Sequence, residues 1–303
     1  MKEINLWKSI VELKSSDSSV SKFVFTSDSV AVESVLYKYP TFEDRTVICC
    51  STQSGCKVGC KFCGAGNFFA RNLTTDEIIS QPVHLLESTN VDVVKIKKLQ
   101  IMFMSMGEPF NNYSNLKEAI VKLHILYPNA ALLISTSAPQ TIHNNFDDFI
   151  ELSHLIDKIG LQFSVHESSD IARKLLIPTK TCLLTEIGEL GSRWAKRTGR
   201  RPFFNYCVHL KNNSDDDIAR LKSNFTPSIW QATLSVICEK DETMVASHNR
   251  QLEMVVDFSA RMLLAGYSTR TFNPAGQDDI GGGCGMLWHV QSWARKNGKL
   301  KKH

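Results

Sequence analysis

Three cysteines stand close together in the stretch Gly55-Cys56-Lys57-Val58-Gly59-Cys60-Lys61-Phe62-Cys63-Gly64. Their order is C-x3-C-x2-C, so Cys56, Cys60 and Cys63 can each bind one iron of a [4Fe–4S] cluster and leave the fourth iron without a protein ligand. An open iron of this kind can bind a substrate. The spacing therefore predicts a cluster that takes part in chemistry, while the protein positions and shields it.

A structural zinc site is the alternative that the spacing leaves open, because short motifs also match by chance. Zinc in such sites takes a closed set of ligands, usually arranged as two separated pairs. The sequence has no second C-x2-C and no H-x3-H after the three cysteines. The spacing alone therefore favours the cluster over zinc without excluding zinc.

A second motif strengthens the case for the cluster. Ser105-Met106-Gly107-Glu108-Pro109 follows the apolar run 99–104, which is typical of a buried strand that ends in a tight turn. This pairing of motifs resembles radical S-adenosylmethionine (SAM) proteins, in which a Gly-Glu-Pro at the end of the second strand contacts the SAM amino group. Gly107 and Glu108 are therefore candidate SAM-binding residues.

The bulk composition limits the class of protein. The chain has 303 residues, 43% of them hydrophobic, which is enough for one large domain with a core. A net charge of +4 and a pI of about 8.5 permit a polyanionic partner without requiring one. Positive charge is concentrated at 196–201 and at 295–303, and such runs are either solvated surface or phosphate-binding sites.

Cellular location is predicted from the cysteines and from the first residues. The chain has nine cysteines, and this odd, partly clustered set argues against a disulfide framework. Residues 1–8 are charged and amphipathic, unlike a signal peptide, and no run is apolar enough to span a membrane. We therefore expect a cytoplasmic protein with no membrane association, since a reducing compartment suits an exposed cluster.

Strand-like and helix-like segments alternate along most of the chain. The strand-like segments are 46–50, 99–104, 131–136, 160–165, 203–210, 229–237 and 267–272. The alternation predicts an α/β fold with a parallel sheet, and about six β-α units predict a partial (β/α)6 barrel. Ser135 and Ser164 lie at strand ends, as do the cluster loop and the Gly-Glu-Pro turn. We expect them to converge around SAM, because sites in such sheets lie at the carboxyl ends of strands.

The remaining segments complete the predicted domain organisation. Segments 22–26 and 30–37 read as a β-hairpin with a turn between them. The predicted parts are an N-terminal helix and hairpin extension at 1–44, the barrel with a C-terminal cysteine loop at 45–292, and a basic tail at 293–303.

Two further cysteines differ from the others. Cys284 lies in Gly281-Gly282-Gly283-Cys284-Gly285, which is too flexible to hold a core residue well and suggests a thiol that visits more than one position. Cys49 lies seven residues before Cys56. The other cysteines outside the cluster motif are expected to be small buried hydrophobic side chains: Cys50, Cys182, Cys207 and Cys238.

The chain resembles the RlmN/Cfr family of radical-SAM RNA methylases from about residue 20 to about residue 292. The matching words are Cys49-x3-Gln53-x-Gly55-Cys56, the three cluster cysteines, Arg71-Asn72-Leu73-Thr74, Met106-Gly107-Glu108-Pro109, Ser135-Thr136-Ser137, Ser164-Val165-His166, Arg173 with Pro178, Asp278-Asp279-Ile280 and Cys284-Gly285. Together they are highly specific, and the pair of distal cysteines separates this family from most radical-SAM enzymes.

The resemblance implies a mechanism that uses two SAM molecules. One SAM methylates the sulfur of Cys284, and the second, bound on the open iron, yields a 5′-deoxyadenosyl radical. The radical removes a hydrogen atom from the S-methyl group, and the resulting carbon adds to adenine C2, or to C8 in the resistance-conferring branch. Cys49 then helps to release the product, by proton removal and disulfide formation with Cys284. The expected activity is thus methylation of an RNA adenine, at C2 ahead of C8.

The chain departs from the family pattern in three places. We expect the chain to lack most of the N-terminal accessory domain that helps the family hold RNA, because Cys49 comes too early to leave room for it. The segment 232–238 has no asparagine where the family has a Pro-x-Asn whose Asn contacts SAM, and we expect Ser235 to replace that contact. The family's Arg-Gly before Asp278 appears here as Gly276-Gln277.

The same resemblance implies partners. Ribosomal or transfer RNA is the expected substrate, a flavodoxin or ferredoxin the expected electron donor, and the expected state is a monomer. A set of cationic residues is predicted to face the RNA phosphates: Arg71, Arg173, Lys174, Arg200 and Arg201.

Two other functions stay open at this stage. One is a radical-SAM enzyme of the same scaffold that acts on a substrate other than RNA. The other is a non-catalytic iron–sulfur or zinc module that binds RNA. The presence of both Cys49 and Cys284 disfavours the binding module, because it would need neither.

Overall fold

The computed structural model describes residues 6–236, 244–272, 277–281 and 287–299. The chain divides into two compact units. The first unit contains Met1–Gly59, Cys63–Ile134 and Pro274–His303, and the second contains Cys60–Phe62 and Ser135–Asn273.

Strands and helices alternate as the sequence predicts. In chain order the strands are β1 (Ser9–Lys14), β2 (Val20–Thr26), β3 (Ala31–Lys38), β4 (Thr46–Cys50), β5 (Gln53–Gly55), β6 (Phe69–Asn72), β7 (Leu99–Phe103), β8 (Ala131–Thr136), β9 (Ile159–Ser164), β10 (Phe203–Cys207), β11 (Gln231–Ser235) and β12 (Thr269–Phe272). The helices are α1 (Thr75–Ser88), α2 (Tyr113–Leu126), α3 (Phe146–Leu155), α4 (Asp170–Leu176), α5 (Leu184–Thr198), α6 (Asp215–Asn224), α7 (Met244–Leu264), α8 (Gln277–Ile280) and α9 (Trp288–Lys296).

The first unit combines antiparallel and parallel strands. Strands β1, β2, β3 and β4 pair with one another in sequence order and antiparallel. Strand β7 pairs in parallel with β4, and β8 pairs in parallel with β7. The short strands β5 and β6 form a separate antiparallel pair. Helix α1 begins with a reciprocal cap, in which the Glu77 amide donates to Thr74 Oγ1 at 3.2 Å and the Thr74 amide donates to Glu77 Oε2 at 2.8 Å.

The N-terminal extension differs from the expectation. The predicted hairpin is present as β2 and β3, but β1 adds a third antiparallel strand. No helix occurs within residues 6–44, so the expected N-terminal helix is not found there, and residues 1–5 lie outside the described part. The β-branched residues Ile10 and Val11 and the antiparallel pairing with β2 favour a strand over a helix.

The second unit holds four parallel strands in the order β9-β10-β11-β12. One face of these strands is apolar, and an aromatic core covers it through contacts of Trp230 with Phe163 and Phe204 at 5.6 and 6.4 Å between ring centroids. Helix α5 approaches this core so closely that a Cβ on Gly191 would lie 2.1 Å from Trp230 Cζ2, which requires glycine at that position. The α/β class predicted from the sequence is thus confirmed.

Within the described residues, we find no helix with the length and hydropathy needed to cross a bilayer.

Candidate functional site

Cys56 directly follows β5, and backbone N–H groups of the next residues donate hydrogen bonds to its sulfur. Burial raises the pKa of the Cys56 thiol to about 12, and the nearby Cys63 and Glu108 add to that effect. The backbone N–H groups of Val58 and Gly59 donate to the Cys56 sulfur and oppose the rise. Such donors stabilise a thiolate, and a bound metal displaces the thiol proton. The surroundings of Cys56 therefore fit an iron–thiolate bond.

The other two cluster cysteines lie farther along the same loop. Cys63 begins a short 3-10 turn, in which its carbonyl accepts from the Gly66 amide at 3.1 Å. Cys60 belongs to the second unit with Lys61 and Phe62. In the parts of the chain that the structure describes, no three His, Cys, Asp or Glu side chains meet as ligands of one metal ion. Cluster ligands need not meet at one point, because each binds a different iron.

The Gly-Glu-Pro turn is locked in place by Gln53. Gly107 has φ +95°, and a Cβ there would lie 2.6 Å from Gln53 Cβ. The Glu108 amide donates to Gln53 Oε1 at 2.9 Å, and Gln53 Nε2 donates to Asn72 Oδ1 at 2.7 Å. Glu108 is buried, and its carboxylate accepts from the Phe110 amide at 3.1 Å. Gln53 and Asn72 belong to the motifs that the chain shares with the family, and the structure shows that they support this turn.

Ser135 and Ser164 come together in the second unit. Their hydroxyl oxygens lie 3.4 Å apart, and Gln162 Nε2 donates to Ser135 Oγ at 3.2 Å. Residues on alternating positions of a strand share a face, so Gln162 and Ser164 point to the same side of β9. The two serines that the sequence assigns to SAM thus share one polar face.

Ser235, the last residue of β11, is also held by hydrogen bonds to polar side chains. Its hydroxyl donates to Asn205 Oδ1 at 2.7 Å and lies 3.3 Å from Cys207 Sγ. Asn205 is buried on β10 and pairs in register with Ser164 and with Thr233. Sequence reasoning missed Asn205, because strand register, rather than local sequence, brings this amide beside Ser235.

A chain of hydrogen bonds continues this face to β12. Gln162 Oε1 accepts from Thr233 Oγ1 at 2.9 Å and from an Arg270 guanidinium nitrogen at 3.1 Å. Arg270 Nε donates to Thr233 Oγ1 at 2.7 Å, and the guanidinium lies 3.8 Å from the centroid of the Phe203 ring. Mutual hydrogen bonding explains how Gln162 and Thr233 can be buried, whereas Arg270 is exposed.

His166 is a buried, neutral imidazole just past β9. Burial, and then the charge of Arg173, lowers the pKa of His166 to about 3. Its backbone is left-handed (φ 62°), and its amide donates to the Asn205 carbonyl at 3.0 Å. The ring meets Phe62 edge-on at 5.1 Å, and Nδ1 has no hydrogen-bond partner among the described residues. A buried ring nitrogen in this state fits a site that a polar ligand completes.

Arg173 corrects one prediction. It does not face RNA phosphates, because its guanidinium is buried and donates to protein acceptors. These acceptors are the carbonyls of Ser137, Ser164, Val165 and Cys182 and the hydroxyl of Thr181, at 2.6–3.2 Å. Arg173 therefore holds the ends of the strands that carry Ser135 and Ser164.

Other arginines of the predicted phosphate set also have protein partners. Arg71 makes a bidentate ion pair with Glu77 at 2.7 Å. Arg201 donates to the carbonyls of Pro227 and Trp230 at 2.6 and 2.7 Å, and Arg200 donates to the Ser153 carbonyl. Lys174 alone of this set is an exposed side chain.

Cys49 lies on β4 in a hydrophobic cluster of the first unit. The buried members of this cluster are Val20, Val35, Tyr37, Val47, Cys49 and Ile280. Burial raises the pKa of the Cys49 thiol to about 12. Cys284, its expected partner, lies outside the described residues. Ile280 of α8 is four residues before Cys284 in sequence.

The remaining cysteines follow the expectation where they are described. Cys50, Cys182 and Cys207 are buried, and the described cysteines form no disulfide. Cys238 lies outside the described residues.

A buried ion pair, which sequence reasoning missed, joins β2 and β3 in the first unit. Lys22 Nζ is 2.8 Å from Glu33 Oε2, and both side chains are almost fully buried. Lys22 Nζ also donates to the Gly281 carbonyl, and Glu33 Oε1 accepts from the Val290 amide at 3.0 Å. The pair thus contacts the chain on both sides of 282–286. The sequence could have indicated the pair, because Lys22 and Glu33 are opposite charges in two neighbouring strands that are otherwise mostly apolar.

No protein-family model matches the chain. A probable dual-specificity RNA methyltransferase RlmN of Heliobacterium modesticaldum is 29% identical over 272 residues, which cover 86% of this chain and 68% of the relative. Dual-specificity RNA methyltransferase RlmN 2 of Myxococcus xanthus is 30% identical over 292 residues, which cover 91% and 72%. Among the curated relatives compared, the matches cover between 46% and 74% of the relative's own length.

A comparison with solved structures identifies the fold. A radical SAM methyltransferase from Sphaerobacter thermophilus superposes with a TM-score of 0.73 at 26% identity, over 92% of this chain and 80% of that chain. The fold is that of a radical-SAM methyltransferase. The chain belongs to the RlmN family of radical-SAM RNA methyltransferases, as the motifs predicted.

Proposed function

We propose that this chain methylates an adenine carbon in RNA, C2 in preference to C8, through a methylated Cys284 that Cys49 resolves. The observation that carries the proposal is the hydrophobic cluster that contains both Cys49 and Ile280. Four extended residues span at most roughly 14 Å, so the chain between Ile280 and Cys284 is short enough to allow Cys284 to approach the cluster that contains Cys49. This support comes from covalent chain length and from the position of α8.

The environment of Cys49 is consistent with a thiol that acts late. A thiol with a pKa of about 12 is protonated at neutral pH, and only the thiolate is a good nucleophile. Cys49 therefore stays inert while its cluster is closed. In the proposal it reacts only after Cys284 has bonded to the base and the hydrophobic cluster around Cys49 has opened.

Members of this family in general use SAM and a [4Fe–4S] cluster, and the residues present fit both. We propose that Cys56, Cys60 and Cys63 hold the cluster. SAM would lie against Gly107, Glu108, Ser135, Ser164 and Ser235. The supporting observations are the N–H groups aimed at Cys56, the close packing of Gly107 against Gln53 and the buried Nδ1 of His166. When bound, these groups would supply the methyl group and the radical chemistry.

The residues around SAM have distinct tasks in this proposal. Glu108, fixed by Gln53 through its amide, accepts from the SAM amino group. Ser135 and Ser164, fixed by Gln162 and Arg173, line the ribose or carboxylate side. Ser235 and Asn205 together replace the contact that the family makes with its Pro-x-Asn asparagine.

The proposed partners are ribosomal or transfer RNA and an electron-transfer protein such as flavodoxin or ferredoxin. The protein would act as a monomer in the cytoplasm. Relatives named as RNA methyltransferases support the RNA substrate.

Nucleoside mass spectrometry of RNA, from cells with and without the gene, tests the activity. Loss of 2-methyladenosine on deletion is the expected result, and its restoration should require both Cys49 and Cys284. Peptide mass spectrometry should find one added CH2 on Cys284. Cys284→Ala should yield no methylated RNA, whereas Cys49→Ala should accumulate a covalent protein–RNA species. Cys50→Ala, a change at the neighbouring buried thiol, is the control and should still methylate. Unchanged 2-methyladenosine in the Cys284→Ala strain would refute the proposal.

A further inference from the structure

Helix α4 exposes an apolar surface that the proposed activity does not use. Ile171 and Leu175 lie one helical turn apart and are 82% and 65% exposed. Leu183 is 52% exposed, and the neighbouring Leu184 amide donates to Asp170 Oδ1 at 2.9 Å. We call Ile171, Leu175 and Leu183 the α4 ridge. Adjacent exposed aliphatic side chains of this kind mark protein contact sites more often than isolated ones do.

The ridge is rigid, because the opposite side of α4 is anchored. Arg173 lies between Ile171 and Leu175 in sequence and donates to five acceptors of the second unit. Ser169 caps the helix by accepting from the Ala172 amide at 3.3 Å. A surface that is already ordered loses little entropy when a partner binds.

The charges beside the ridge are mainly positive. Lys174, Lys61 and Lys180 are exposed, whereas the carboxylates of Asp170 and Glu186 are half-buried and accept the amides of Leu184 and Leu183. Glu167 is buried against His209, with 2.8 Å between Oε1 and Nε2. An apolar surface with lysines at its rim is complementary to an acidic protein.

The ridge is also joined to the cluster loop within the second unit. The Lys61 amide donates to the Leu176 carbonyl at 3.0 Å, so the last residue of α4 is fastened to the loop between Cys60 and Cys63. Phe62 packs against His166, which precedes α4. A partner on the ridge would therefore lie beside the segment that carries a proposed cluster ligand.

We propose that the α4 ridge is the docking surface for an acidic one-electron donor of the flavodoxin class. This inference rests on the proposed function, in which one electron passes from the donor to the cluster. The donor is oxidised by one electron, and the cluster is reduced by one. An RNA partner is the weaker fit, because aliphatic side chains offer phosphates no hydrogen bonds and offer bases no stacking surface.

The test compares a protein donor with a chemical one. The variants are Ile171→Asp, Leu175→Asp and Lys180→Glu. Leu264→Asp is the matched control, since Leu264 is a leucine on α7 that is 89% exposed. The first readout is the Kd of an acidic flavodoxin for the reconstituted protein, measured by titration at low and high salt. The second readout is SAM cleavage driven by reduced flavodoxin or by dithionite.

Ridge variants should raise the flavodoxin Kd by about tenfold, as expected for central interface residues. Flavodoxin-driven SAM cleavage should fall accordingly, whereas dithionite-driven cleavage and the Leu264→Asp control should not change. An unchanged flavodoxin Kd, an equal loss with both reductants, or a loss of RNA affinity instead would overturn the assignment. A wild-type protein that cleaves no SAM with dithionite would refute the proposed function, while the flavodoxin Kd would still decide the ridge.

Discussion

The ammonium group of Lys22 and the carboxylate of Glu33 form a buried ion pair at 2.8 Å in the first unit. The pair is also bound to the main chain at Gly281 and at Val290. It therefore joins the N-terminal strands to both flanks of the segment that carries Cys284. A buried charge without its partner is costly, so this pair constrains the C-terminal part of the chain.

Removing one member of the pair should strongly destabilise the protein. We expect Lys22→Met to lower the free energy of unfolding by about 3–5 kcal/mol, because Glu33 would remain as a buried, uncompensated charge. The double change Lys22→Met with Glu33→Leu should recover much of that loss. Denaturant unfolding monitored by circular dichroism measures both. Lys14→Met, at an exposed lysine of β1, is the control. If Lys14→Met lowered the free energy of unfolding as much as Lys22→Met, the prediction would be contradicted.

The cluster prediction is tested by metal analysis. Protein reconstituted without oxygen should contain about four irons per chain. Cys56→Ala should lose them, because the thiolate that the Val58 and Gly59 amides support is gone. Cys182→Ala, at a buried cysteine outside the motif, should keep the full iron content. Stoichiometric zinc in anaerobically purified wild-type protein, with no iron-dependent absorbance, would favour a structural zinc site.

A methyl group on Gly107 should impair SAM binding. The new Cβ would lie 2.6 Å from Gln53 Cβ in a backbone with φ +95°, so the turn and the Glu108 amide must shift. Strain of about 1–3 kcal/mol is typical of such positions, which corresponds to roughly 5- to 150-fold weaker binding. Isothermal titration with SAM measures the change. Gly199→Ala shares the positive φ (+71°) but meets nothing within 4 Å, and its SAM affinity should equal that of wild type.

His166 should make stability depend on pH. Its folded pKa of about 3 lies below the ordinary value of 6.5, so the unfolded chain binds the proton more readily. The contribution is therefore constant above pH 6.5 and is lost as pH falls toward 3. Between pH 7 and pH 5 the loss should be about 2 kcal/mol. Unfolding of the apo-protein at both pH values, compared with His166→Asn, measures it; Asn tolerates the left-handed backbone. Parallel pH profiles of the two proteins would rule out this role.

The sequence predicts best what local residues determine. Strands 46–50 and 131–136 have the same bounds in the structure as in the prediction, because each is a short apolar run between turn signals. The Gly-Glu-Pro turn is also local. Helix α4 was not predicted, since it is short and its aliphatic residues face solvent.

Long-range relationships were beyond the sequence patterns. The pairing of Lys22 with Glu33 depends on the register of β2 and β3, and the position of Asn205 depends on the register of β10. Arg173 was assigned to phosphate as one of a set of cationic residues expected near the site, yet backbone carbonyls at the strand ends satisfy its donors. The roles of Cys284 and Cys49, and the division into domains, stay predictions.

The position of Cys49 also protects it. Peroxides and alkylating reagents attack the thiolate, and a thiol with a pKa of about 12 is ionised in only about one molecule in 100,000 at neutral pH. Among Val35, Val47 and Ile280 the sulfur is also shielded from such reagents. The rate of chemical labelling of this cysteine would therefore measure how often the packing around β4 and α8 opens.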